Sequence, residues 1–117
     1  MSIDYHDRRF ASVSNSSTGD VGAGTVFHYR QKGDVVWGTY EGGDIASGTL
    51  IARVLEDASL DMRYQHVTRD GVIKTGRCAS QPELLVDGRI RLHERWQWTE
   101  GSTASGESIV EEAAADA

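Results

Sequence analysis

The stretch that decides the fold is Arg89–Thr99, RIRLHERWQWT. Side chains of a β-strand alternate between two faces, so the run separates into two sets. Ile90, Leu92, Glu94, Trp96 and Trp98 share one face, and Arg89, Arg91, His93, Arg95 and Gln97 share the other. The second set is basic and polar and belongs in water. The first is aliphatic and aromatic with one carboxylate at its centre, so Glu94 is expected to point inward. Leu60–Thr68 repeats the pattern. Leu60, Met62, Tyr64, His66 and Thr68 form an inward face that again carries polar groups, here Tyr64 and His66.

Working outward, the same texture covers the chain. Further strand-like runs are 9–13, 25–31, 34–41, 48–55, 72–80, 83–86 and 105–111, rich in Val, Ile, Thr, Tyr and Trp. Lys32-Gly33, Gly42-Gly43, Asp70-Gly71, Asp87-Gly88 and Glu100-Gly101 supply hairpin turns between them. Asp57-Ala58 is the weakest turn signal, because alanine resists positive φ. Pro82 cannot donate to a ladder and marks a bend or an edge between two runs. Phe27 and Tyr29 oppose Val26, His28 and Arg30. Trp37 and Tyr40 fall on opposite faces, so one is exposed or a bulge intervenes. Gly76 and Cys78 share a face, where small side chains leave room. The polar stretch 14–24, SNSSTGDVGAG, is expected to be a mobile surface loop, and 112–117 a frayed acidic tail. The one helix-friendly stretch is 111–117.

Short strands joined by tight turns favour antiparallel neighbours, and no connection is long enough for a crossover helix. The expected architecture for residues 1–117 is one all-β domain, a single antiparallel up-and-down barrel of eight to nine strands, calycin- or lipocalin-like. Closure removes the exposed edges of an open sheet. A two-sheet sandwich is the structural rival.

Composition bounds the function. Lys plus Arg is 12 and Asp plus Glu is 18 in 117 residues, a formal charge of −6, so no electrostatic grip on nucleic acid is expected. No apolar stretch approaches the roughly 20 residues of a membrane span, so no membrane partner is expected. The opening MSIDYHDRRF has no apolar signal core, and Cys78 has no second cysteine to pair with, which makes the cytoplasm the expected compartment. The histidines and Cys78 show no metal-ligand spacing, so no metal is expected. Nucleotide, hydrolase and cofactor motifs are absent, and no cofactor is expected. Cys78 reads as an inert buried thiol, and His28 and His93 as surface residues.

An eight-strand barrel is either filled with side chains or holds one small ligand. Inward polar groups beside aromatic rings favour the second, with a small organic molecule as the expected partner. Tyr64, Trp96 and Trp98 would wall the site, and His66 and Glu94 would orient the ligand. The same pair could instead serve as acid and base in a small isomerase or cyclase. Glu94 could also simply pair with an arginine of a neighbouring strand inside a filled core, in a structural protein that self-associates, for example as a homodimer.

The stretches FHYRQKGDVVWGTYEGGDIASGTLIARV (27–54), DMRYQHV (61–67) and GRIRLHERWQWT (88–99), with GES at 106–108, resemble a family of short bacterial proteins. The resemblance runs from about Phe10 to Glu112. It implies a small calycin-type barrel without an established activity, although members often carry the automatic label N-acetylglutamate synthase. Acetyltransferases of that kind need an α/β fold and a pyrophosphate loop of the form Arg/Gln-x-x-Gly-x-Gly/Ala. The nearest stretch, Arg30–Val35 (RQKGDV), fails at its last position and lies in a predicted hairpin turn with no helix N-terminus.

Overall fold

In the computed structural model, which describes residues 3–16, 19–22, 24–101 and 104–113, alternation and turn spacing resolve into eight strands. They are β1 (Arg8–Asn15), β2 (Val26–Lys32), β3 (Val35–Gly42), β4 (Ile45–Val54), β5 (Leu60–Thr68), β6 (Ile73–Leu84), β7 (Ile90–Trp98) and β8 (Ser105–Glu112). Every strand pairs antiparallel with its sequence neighbour, and β1 pairs with β8 to close the barrel.

Turn chemistry sets the hairpins. In Asp87-Gly88, glycine takes φ 88° while the Asp87 carboxylate accepts the Arg89 N–H at 3.1 Å. Ala58 departs from the expectation for alanine and does adopt φ 68°. The surroundings impose it: the Asp57 carboxylate binds both the N–H and the hydroxyl of Ser59, Ala58 N–H donates to Leu55, and its carbonyl accepts the buried Tyr5 hydroxyl at 2.6 Å.

The strand count is eight because runs 72–80 and 83–86 merge into β6, and Val86 lies outside it. Pro82 pairs with Leu92 of β7, but the ladder between β5 and β6 ends at Leu60–Ser80. Beyond Ser80 the other side of β6 is an edge, which tolerates a residue without an N–H. The tail reading also changes at its start. Glu111 and Glu112 end β8, and Glu112 is held by Arg8 at 2.7 Å; residues 114–117 lie outside the described residues. Ser14 and Asn15 likewise belong to β1 rather than to a loop.

The inward faces follow the alternation. Leu60, Met62, His66, Ile90, Leu92, Trp96 and Trp98 are buried, as are Phe27, Tyr29 and Tyr40, while Trp37 is exposed. Rings from one strand lie on glycines of the next: Tyr40 on Gly48, Tyr64 on Gly76 and Trp96 on Gly106, each a directly opposed pair. The room expected beside Gly76 is therefore occupied by the Tyr64 ring. Ahead of β1, Ile3 and Tyr5 are buried, and Tyr5 N–H donates to the Gln31 side chain at 2.8 Å. This segment closes the barrel end that carries the Gly33 and Ala58 turns.

Candidate ligand site in the barrel lumen

β7 carries the lumen's chemistry from one end to the other. Ile90 and Leu92 fill the closed half, Glu94 sits midway, and Trp96 and Trp98 line the open half. Register places Ser80 of β6 and Ser108 of β8 directly opposite Glu94, so three polar residues form a row across three strands. Ser108 Oγ donates to Glu94 Oε1 at 3.1 Å, and Ser80 Oγ donates to Oε2 at 3.0 Å. Cys78 Sγ approaches Oε2 at 3.8 Å. Among the described residues no lysine, arginine or histidine pairs with this carboxylate, so the expected alternative of an arginine partner is corrected to a pair of hydroxyls.

Glu94 as a residue is partly exposed and also borders an outer groove beside His93, Arg95 and Glu107; its carboxyl group is enclosed. Burial pushes that carboxyl above the usual range, against the opposing pull of the Ser80, Ser108 and Cys78 hydrogen bonds. Burial also pushes the Cys78 thiol up, and the neighbouring carboxylate adds to it, which keeps the sulfur protonated and unreactive.

The open end is organised by His66, whose side chain is fully enclosed. Tyr40 Oη lies 2.8 Å from His66 Nδ1, and Asp20 Oδ2 lies 2.9 Å from Nε2. Asp20 also meets Lys74 Nζ at 3.0 Å. Burial acts to raise the Asp20 carboxyl, but hydrogen bonds from His66 and Lys74 outweigh it and hold the group below its ordinary value. Lys74 Nζ in turn stands 5.1 Å from the Trp98 ring centroid. A second tie joins the same loop to the wall: Trp96 Nε1 donates to Asn15 Oδ1 at 2.9 Å, and Asn15 Nδ2 donates to the Val21 carbonyl at 2.7 Å. The described loop residues after β1 are therefore hydrogen-bonded to the cavity wall through Asp20 and Val21. Ser17, Thr18 and Ala23 lie outside the described residues.

These groups meet in one cavity. Tyr64, His66, Glu94, Trp96 and Trp98 all line it, together with Phe27, Tyr40, Leu50, Met62, Asn15 at the end of β1 and the loop residues Asp20 and Val21. It offers about 40 Å³ to the centres of water-sized molecules. A single water needs roughly 10–15 Å³ on that measure, so the space holds only a few heavy atoms. His66 and Glu94 share the cavity, yet each is committed to its own partners and no hydrogen bond joins them. His28 and His93 point outward to Asp7 and Glu83.

Sequence reading missed Tyr40, Asn15 and Asp20 as site residues. Asp20 is the one acid in the stretch 14–24, and that isolation was the available signal. Alternation puts Tyr40 on the face opposite Trp37, but no feature of that strand says which face is inward.

A family model described as Avidin-like protein matches residues 3–113. The chain belongs to the avidin-like family. No curated protein and no solved structure matches it. Membership agrees with the closed antiparallel barrel and with the calycin-like fold expected from sequence. Nothing in it supports the N-acetylglutamate synthase label. In this avidin-like barrel, Arg30–Val35 forms the end of β2, the Gly33 turn and the first residue of β3.

Proposed function

We propose that this avidin-like barrel binds a small organic ligand in its lumen. Phe27, Tyr64, Trp96 and Trp98 would form the walls, and Glu94 and His66 would fix the ligand's orientation. The observation that carries the reading is the single cavity where aromatic rings meet two separately hydrogen-bonded polar groups. Ligand pockets have that composition, apolar walls with a few placed polar groups. Their usual volume is roughly 300–1,000 Å³, far above the space available here. A ligand of more than a few heavy atoms therefore needs further room, and the Gly19–Val21 segment borders the cavity.

Native mass spectrometry of gently purified protein tests the proposal. A co-purifying small molecule that is lost from the Trp96→Ala and Glu94→Gln variants is expected. The same adduct on every variant would contradict a site in the lumen.

The rival reading, an isomerase or cyclase using His66 and Glu94, draws support from their shared cavity. Turnover abolished by either His66→Ala or Glu94→Gln would favour it. Binding without turnover would favour the carrier.

A further inference from the structure

Resting on the small-ligand reading above, we propose that the ligand selected by the lumen carries a protonated nitrogen, held against the Glu94 carboxylate by the aromatic wall.

The hydrogen-bonding capacity of the lumen is unevenly spent. The Ser80 and Ser108 hydroxyls donate to Glu94, the Tyr40 hydroxyl is engaged with His66, and the Trp96 N–H is given to Asn15. Spare capacity lies with Glu94 and with the Tyr64 hydroxyl, which lines the same cavity and can accept as well as donate. A carboxylate offers about four lone-pair sites, and three groups reach Glu94, one on Oε1 and two on Oε2. The open position on Oε1 suits an N–H donor.

Charge points the same way. Two carboxylates, Glu94 and Asp20, border the cavity. The cation at the rim, Lys74, is already engaged by Asp20. Asp20 is thereby balanced, whereas a cationic ligand would neutralise Glu94, the carboxylate that lacks a basic partner among the described residues. The rings supply the second half of such a site, because a cation over an aromatic face is attracted by the ring quadrupole. Trp98 already takes Lys74 in that way.

Binding is then linked to protons. The groups facing Glu94 from the surrounding strands are Cys78 on β6, Tyr29 on β2, Tyr40 on β3 and Tyr64 on β5; burial pushes each of them up, so all stay neutral. His66 and Asp20 face the same cavity from β5 and the loop after β1. Burial raises the Glu94 carboxyl in the unliganded barrel, so a cation that pairs with its ionised form competes with a proton for it. Affinity for a cation therefore climbs with pH until that carboxyl is fully ionised. A ligand whose carbonyl accepts from protonated Glu94 would show the opposite trend.

The test is an NMR titration of the Trp96 and Trp98 indole N–H signals at constant ionic strength. The probes are millimolar methylammonium and guanidinium, with urea and acetate as uncharged and anionic counterparts of similar size. The two cations are expected to give saturable shifts whose Kd weakens about tenfold per pH unit on the acid side of the Glu94 titration. Glu94→Gln is expected to weaken cation binding at least tenfold. The pH series on the unaltered chain carries the same information should that variant fold poorly. Urea binding as tightly as guanidinium, or cation affinity indifferent to pH, would overturn the assignment and leave a barrel for uncharged ligands. No binding by any probe would overturn this assignment, while a co-purifying molecule lost from Trp96→Ala would still uphold the small-ligand reading.

Discussion

Glu94 is a carboxylate held by two serine hydroxyls and a thiol, with no basic partner among the described residues. Hydroxyl donors stabilise an ion far less than a full counter-charge, so burial dominates and raises its folded-state pKa. The folded chain then binds a proton more tightly than the unfolded one. Its contribution to stability is complete below the unfolded carboxyl pKa and is lost as pH rises through the folded value. Glu94→Gln removes that slope while keeping a group of the same shape. The variant is expected to gain thermal stability relative to the parent as pH rises, measured by melting across a pH series. A gap that is constant with pH would contradict the assignment. At the barrel's other end, Tyr5 donates a buried 2.6 Å bond to the Ala58 carbonyl and helps hold a strained turn. Tyr5→Phe is expected to cost about 1–3 kcal/mol in denaturant unfolding, since a buried acceptor is left unpaired. The inward direction of Glu94 could be read from alternation within β7. Its partners could not, because Ser80 and Ser108 are brought opposite it only by the register of β6 and β8.

At the scale of elements, the wall is built from rings laid over glycines of the adjacent strand. Gly76 receives Tyr64, and any β-carbon there would overlap the ring. Gly76→Ala is expected to destabilise by about 1–3 kcal/mol, as overpacking does, and to push Tyr64 into the cavity. Gly22→Ala, where a β-carbon meets nothing, serves as the neutral control. The sequence showed Gly76 as an inward small residue, but whether it leaves a void or seats a ring depends on cross-strand register. Pro82 teaches a related lesson. Proline marks an edge reliably, and here the edge lies along one continuous strand rather than between two. The loop after β1 is the element least visible in sequence, because the ties from Asp20 to His66 and Lys74 and from Asn15 to Trp96 all span long sequence separations. The lowered Asp20 carboxyl contributes stability above its unfolded pKa and loses it as pH falls through the folded value. Amide exchange in 19–22 is therefore expected to quicken in acid below the ordinary carboxylate range. In Asp20→Asn it is expected to be fast already at neutral pH. Equal protection in parent and variant would show that Asp20 does not hold the loop.

For the whole molecule, closure of eight antiparallel strands turns local alternation into an inside and an outside. The barrel was legible because turn signals at regular spacing, the absence of crossover segments and the two-faced runs in β5 and β7 all agree. The five residues read as a site do line one cavity, while the cavity's size and its cover are properties of packing that no single stretch encodes. The three tryptophans offer a direct probe of this account, since Trp37 is exposed on the outer wall and Trp96 and Trp98 face the lumen. Trp37→Phe leaves the lumen pair as the sole indole emitters. For any small molecule that raises the melting temperature, its fluorescence titration in that variant should saturate at the calorimetric affinity, with emission shifted or quenched. A ligand that binds with the same affinity yet leaves the emission of Trp96 and Trp98 unchanged would contradict binding within the barrel.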